Sequence, residues 1–265
     1  SEKVLLFTKS KIMSTEKERR TKYIQCDKNK YNQLKSYCWC EAENPYLIVP
    51  CEFTIPGSNN FVSGILMITF GAHYLFKNKV FGGLEFVMEF NILKISLLRI
   101  TKSKLIFDFS DCAIDGTDPA IGTHLSTNGI SPKKKKSKEV LKSAIVIKSD
   151  KVEQIAYVTT YILRTVAWNL NGIQLMRINS DINFEQVDFP KRPDNALRHR
   201  VLFLAHYYED KGPNLDEVVQ LTKWETLHSG LIFIGKTFDP GSYALAFAHS
   251  LAWEAEIKSI VFRGF

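Results

Sequence analysis

Lys133-Lys134-Lys135-Lys136, with Lys138 close behind, is the strongest charge feature of the chain. Clustered ammonium groups attract anionic surfaces: lipid headgroups, nucleic acid or an acidic protein face. A plain solvated loop, or a chance match to a nuclear-localisation signal, is the competing reading. Nucleic-acid readers interleave aromatic or arginine side chains with their lysines. Residues 133–138 contain neither, so no nucleic-acid partner is expected. Lys77 and Lys79 form a second, smaller basic pair.

Other residue types that could do chemistry lack the spacing for it. Cys38 and Cys40, with Cys26 and Cys51, bring no second paired set and no nearby histidine, whereas zinc needs four convergent ligands. Asp108, Asp111, Asp115 and Asp118 lack the EF-hand spacing and its closing glutamate. The histidines are scattered; His199 and His206 share one helix face but accompany no nucleophile motif. No G-x-S-x-G, P-loop or H-E-x-x-H occurs, so a non-enzymatic role without cofactor or metal is expected.

Composition sets the bounds within which these residues act. At 265 residues, with 45% hydrophobic and 24% charged residues, the chain can bury one large core or two small ones. No apolar stretch reaches the roughly 18 residues of a membrane span, and the first residues do not read as a signal peptide. An odd number of cysteines, five, and no Asn-x-Ser/Thr acceptor suit a reducing, cytoplasmic setting. The net charge of +7 is uneven: residues 171–265 hold 10 Lys/Arg against 12 Asp/Glu, so residues 1–170 hold 25 against 16, or +9. An opening Ser1 and an apolar strand running to Phe262 suggest a piece of a longer protein.

The elements that must position these residues follow from periodicity. Residues 1–45, lysine-rich with scattered aromatics, read as a loose or helical basic arm. From Tyr46 the texture is that of strands: Tyr46–Val49 and Glu52–Ile55 around Pro50, taken as an edge strand or bulge. Phe61–Phe70, Ala72–Phe76, Leu84–Phe90, Leu93–Ile100, Lys104–Phe109 and Ser143–Ile147 follow. Ser110–Lys142 carries the lysine run and little apolar periodicity, and reads as an insert in a loop. Ser149 and Asp150 are candidate caps for a helix in which Val152, Ile155, Thr159, Ile162 and Val166 form one apolar stripe. Leu197–Tyr208 and Leu215–Leu221 read as helices, Leu227–Ile234 as a strand, Ser242–Ala252 as a helix and Glu256–Phe262 as a final strand.

Seven strands and one plugging helix, carried by Phe61–Phe76, Leu84–Phe109 and Ser143–Trp168, resemble a pleckstrin-homology (PH) domain. The strand–helix–strand texture after it is that of a leucine-rich repeat. Together they resemble the N-terminal part of the CARMIL family, scaffolds linking capping protein, the actin-branching complex and myosin-I. The expected fold is α+β: a PH-like bent antiparallel sheet or barrel over residues 46–170 with an insert at 110–142. A helical linker at 171–225 and the start of a repeat at 226–265 follow. The long insert departs from the compact family pattern, and the family's capping-protein segment is not in this chain.

The resemblance implies an acidic membrane surface as one partner and cytoskeletal proteins, through the repeats, as another. It also implies a homodimer of the full-length protein and a place at the plasma membrane or cell cortex. In an alternating up-and-down sheet, the 110–142 insert and the loop bearing Lys77 and Lys79 fall at one end, where PH domains usually meet phosphoinositides. Lys77, Lys79, Lys133, Lys134, Lys135, Lys136 and Lys138 are therefore the expected lipid-binding residues. The first interstrand turn, Pro56–Asn60, has no basic residue, which points to binding by total charge rather than by headgroup selection. A PH-like module that binds protein and ignores lipid is the rival reading.

Overall fold

Apolar side chains on both faces of the early strands dictate a sheet covered on both sides. In β1 (Leu47–Thr54), Leu47, Val49, Cys51 and Phe53 enter one core and Ile48 enters a second. In β2 (Phe61–Ile68), Leu66 and Ile68 join the first core, Ile65 and Met67 the second. The unbroken apolar run Ile65–Ile68 therefore reflects burial on both faces. The second core is closed by α1 (Lys28–Lys35), whose Leu34 is fully buried against Ile65, Met67, Tyr74 and Phe76. Asp27 caps this helix by accepting from the Lys30 backbone N–H at 2.9 Å.

The computed structural model describes residues 23–41, 43–55, 58, 60–109, 144–168, 170, 176–184, 193, 195–208, 230–234, 244–253 and 259–263. The remaining strands of the main sheet are β3 (His73–Asn78), β4 (Leu84–Phe90), β5 (Leu97–Ile100), β6 (Lys104–Asp108), β7 (Ile145–Lys148) and β8 (Arg177–Ser180). Their order is β4-β3-β2-β1-β7-β6-β5-β8. All neighbours are antiparallel except β5 and β8.

Only residues 91–96 separate β4 from β5, yet six strand spacings of about 4.8 Å lie between them in the sheet. The sheet must curl to allow this. Phe90 at the end of β4 indeed lies 5.3 Å from both Phe107 and Phe109 across the core. Asn91 fixes the corner. Its side chain accepts from Leu93 N–H, capping a 3-10 turn at Ile92–Lys94, and donates to the carbonyls of Gly71 and Phe203, both at 2.8 Å.

The curled sheet is closed by α2 (Val152–Val166), with Val152, Ile155, Thr159, Ile162 and Val166 all buried. α3 (Ala196–Tyr207) packs on α2 and on α4 (Ala244–Ala252), which leaves ten of its twelve residues buried. Arg200 of α3 is completely buried: its Nε donates to Val166 O at the end of α2 at 2.6 Å, and its Nη1 to Ser250 O of α4 at 3.3 Å. A cation over the last carbonyls of a helix is favourably placed. Finally β9 (Gly230–Ile234) and β10 (Ser259–Arg263) pair in parallel with α4 between them, in a constant register offset of 29 residues (259 − 230).

The α+β class stands, and several details differ from the sequence reading. Pro50 lies within the continuous strand β1, which is not an edge. It is tolerated because β1 changes partner there. On the side away from β2, Ile48 O accepts from Gln25 N–H, whereas Glu52 and Phe53 pair with β7, so the missing N–H of Pro50 falls between the two. The expected strand Leu93–Ile100 is shortened by the Asn91-capped turn. The helical linker expected over residues 171–225 also contributes a strand that the sequence reading did not assign, Arg177–Ser180, added in parallel to β5. The expected helix Leu215–Leu221 lies outside the described residues. Within the expected arm, residues 23–41 and 43–45 pack on the sheet. Lys151 stands at the N-cap of α2, with Ser149 Oγ accepting from its N–H. In strict alternation the connections after the third and sixth strands would lie at opposite ends, contrary to the sequence reading; instead β4 and β5 run the same way. That closure is what brings the β1–β2, β3–β4 and β6–β7 connections to one end of the sheet.

Two outcomes are expected. Ile155→Asp, which places a charge in the seam between α2 and the sheet, should cost about 4 kcal/mol or more; an unchanged melting temperature would show that α2 does not pack there. His73, whose Nε2 lies 3.0 Å from Thr159 Oγ1, and His199, stacked on Phe70, are both pushed by burial to a pKa of about 3. The unfolded chain, with histidines near 6.5, binds protons that the folded rings refuse. Stability from these rings is complete above pH 6.5 and declines as pH falls toward 3, so melting temperatures measured at stepped pH should drop through that window.

Candidate functional site

Two places bring polar chemistry together. The first is internal. Glu43 is buried with its carboxylate divided among four donors. Oε1 accepts from the hydroxyls of Thr69 and of Tyr74, the latter at 3.1 Å. Oε2 accepts from Trp39 N–H at 2.8 Å and lies 3.1 Å from His206 Nε2. His206 stacks on Trp39 with ring centroids 3.8 Å apart. Gly71 makes room for that ring, because a Cβ there would stand 2.1 Å from His206 Cδ2. Lys35 Nζ clasps the same segment through Glu41 O and Glu43 O, both at 2.6 Å, and Asn44 Oδ1 at 2.8 Å.

Burial alone would raise the Glu43 carboxyl. The His206 ring, as charge and as hydrogen-bond donor, together with Thr69 and Trp39 N–H, outweighs burial and holds it below the usual carboxylate range. Burial and the neighbouring Glu43 raise the Tyr74 phenol. A Glu–His–Tyr–Thr constellation has catalytic residue types, but both members of the Glu43–His206 pair are sealed from solvent. Its hydrogen-bonding capacity is spent on joining α1's trailing segment, the β2–β3 turn and α3. It is a packing device. Sequence reasoning passed over Glu43, because a lone glutamate in a polar stretch carries no burial signal.

The second place is on the surface, at the β3–β4 turn. Lys79 N–H donates to Gly83 O and Gly82 N–H to Lys79 O, both at 3.1 Å. Gly82 and Gly83 take φ of 89° and 84°, a left-handed backbone that suits glycine. Val80 and Phe81 occupy the tip, 93% and 100% exposed. Lys77 pairs with Glu85 of β4 at 3.2 Å, with both side chains substantially exposed. A pair in that setting contributes at most about 1 kcal/mol and leaves Lys77 accessible. A polar cleft beside the turn is lined by Lys30, Gln33, Asn78 and Lys79.

Of the expected lipid-binding residues, Lys77 and Lys79 thus flank one turn at the sheet end from which the β6–β7 connection also leaves. Lys133, Lys134, Lys135, Lys136 and Lys138 lie outside the described residues. The ends of their insert do not: Ile145 pairs with Phe107, and Val146 N–H donates to Thr54 Oγ1 beside the β1–β2 turn. The four described cysteines are free thiols, with burial raising those of Cys38 and Cys51, the latter to about 12. Among the described residues no His, Cys, Asp and Glu side chains group to hold a metal ion, and no helix is long and apolar enough to cross a membrane.

No family model matches the chain, and no curated protein matches it. Among solved structures, the hSac2 domain from the human phosphoinositide phosphatase Sac2 superposes on 68% of this chain and 98% of that domain. The identity is 9% and the TM-score 0.32, a likeness too loose to carry an argument.

Glu43→Gln should destabilise the fold by about 3 kcal/mol, since it leaves the His206 ring buried without its acid. Because the folded Glu43 pKa is depressed, its contribution is complete above the ordinary carboxylate range and is lost as pH falls below it. Urea melts of the single and double variants with His206→Gln should show strong coupling; additive losses would mean that the two side chains do not meet.

Proposed function

We propose that this chain is a PH-like module followed by the start of a leucine-rich repeat, and that it works as a non-catalytic, membrane-apposed scaffold resembling the N-terminal part of CARMIL proteins. The observation that carries the reading is the sheet closure. A four-strand meander, β1–β4, turns a corner at Asn91 into β5–β7, β7 returns to β1, and one helix caps the open end. The parallel β9–α4–β10 unit supports the repeat part, because a 29-residue offset is a leucine-rich-repeat period. On this reading the module meets acidic lipid through Lys77, Lys79 and the Lys133–Lys138 run, at the cytoplasmic face of the membrane. The repeats offer a surface to cytoskeletal proteins.

A module that binds protein without lipid is the second reading, and the local charge favours it. Around the turn, Lys30, Lys77 and Lys79 face Asp27 and Glu85, so three cations against two anions leave a single positive charge. Vesicle sedimentation decides between them. Replacing Lys133, Lys134, Lys135, Lys136 and Lys138 by Gln should weaken binding to acidic vesicles by about 1 kcal/mol per charge at low salt, with little change in stability. Lys77→Gln with Lys79→Gln should add to the loss. Vesicle binding that ignores all seven substitutions, or no binding by the wild type, leaves the protein-binding reading.

A further inference from the structure

We propose that Val80 and Phe81 form a finger that inserts into the interfacial layer of an anionic bilayer. The inference rests on the membrane reading above and assigns the apolar part of that contact. Four large hydrophobic side chains among the described residues are exposed: Val80, Phe81, Phe86 at 38% and Leu245 at 51%. Three of them belong to the β3–β4 hairpin. Single exposed apolar residues need no explanation. Two adjacent ones at the apex of a turn, with almost their whole surface in water, are a different matter.

The turn is built to hold them out. Its two left-handed glycines and the paired hydrogen bonds between Lys79 and residues 82 and 83 fix the tip beyond the strand ends. The surroundings of Gly82 and Gly83 are open, since a Cβ on either would meet nothing within 4 Å. Phe86, the third exposed apolar side chain, is instead braced on Tyr37 with ring centroids 5.5 Å apart, so the hairpin base is packed while its tip is bare.

The occupant follows from chemistry and position. Lys77 and Lys79 stand just behind the tip, where a phosphate layer lies when an apolar side chain reaches about 5–10 Å into the acyl boundary. The β6–β7 connection, which carries the lysine run in sequence, leaves the same end of the sheet. The net charge of one around the hairpin is too small to hold a domain by itself, so apolar burial must supply the rest of the affinity. A protein groove would suit the two apolar residues equally; Lys79 behind the tip, with Lys77 held by Glu85, is what favours an anionic surface.

The test uses the 265-residue chain with vesicles of phosphatidylcholine containing about one-fifth phosphatidylserine, beside pure phosphatidylcholine vesicles as control. Val80→Ser with Phe81→Ser should weaken binding to the acidic vesicles by roughly tenfold or more, with an unchanged melting temperature. High salt, which screens charges beyond roughly 3 Å at 1 M, should leave the wild type a residual affinity that the double variant lacks. In Phe81→Trp, bromine-labelled lipid should quench fluorescence beyond what the native tryptophans show. If the wild type binds acidic vesicles and the double variant binds them equally, with no extra quenching at position 81, insertion is overturned while charge-based membrane binding stands. If the wild type does not bind, the membrane reading falls and the finger with it. If the substitutions abolish self-association in the absence of vesicles, the tip is a contact between copies and the inference is likewise overturned.

Discussion

The fold hangs on a carboxylate held away from water. Glu43 gathers donors from a turn between strands, from its own segment and from a helix 163 residues further along the chain. Leaving such a group buried with one partner removed costs several kcal/mol, so the three segments must dock together or not at all. Around this point the other contacts take their places. Gly71 yields space to the His206 ring, its carbonyl accepts from Asn91, and Asn91 also reaches α3 through Phe203 O. The corner that curls the sheet is therefore tied to the same helix that carries His206. Arg200, one helix face away, repeats the logic by joining the ends of α2 and α4.

Much of the architecture was legible in residue patterning. The stripe Val152, Ile155, Thr159, Ile162 and Val166 marked α2 because only one face of that helix meets the sheet. Leu84–Phe90 and Lys104–Asp108 were readable because their ends coincide with turn chemistry. What stayed hidden depended on distant partners. Arg177–Ser180 has too few apolar residues to announce a strand and is held by the free edge of β5. Leu34 is the lone aliphatic residue in a polar helix, with only Tyr31 beside it, and its burial follows from the outer faces of β2 and β3. The non-alternating runs Leu47–Val49, Ile65–Ile68 and Tyr74–Phe76 were the local sign that something must cover the second face.

The candidate site divides along the same line. Lys77 and Lys79 stand out by charge, and the loop between Ala72–Phe76 and Leu84–Phe90 that carries them was legible, but nothing in Val80 and Phe81 themselves says that the turn leaves them in water. Sequence hydrophobicity carries no sign of which side of a fold a side chain will occupy. A pair of glycines directly after two apolar residues is the feature that marks a tip rather than a strand, and it was present as Gly82-Gly83.

The link between β6 and β7 bears on how this family of shapes can change. Residues 110–143 separate the last described residue after β6 from the residue before β7, and the two strands are already joined by their own ladder. Closing a flexible loop costs entropy only logarithmically in its length. Going from a four-residue hairpin to one of this span is about three doublings, or about 2 kcal/mol in all. Most of that sum is reached early, so adding or deleting ten residues there shifts the free energy by only a few tenths of a kcal/mol. Across such a connection the register is set by the ladder that pairs Lys104–Phe107 with Ile145–Lys148, and the number of residues between the two strands is a weak term in the stability of the core.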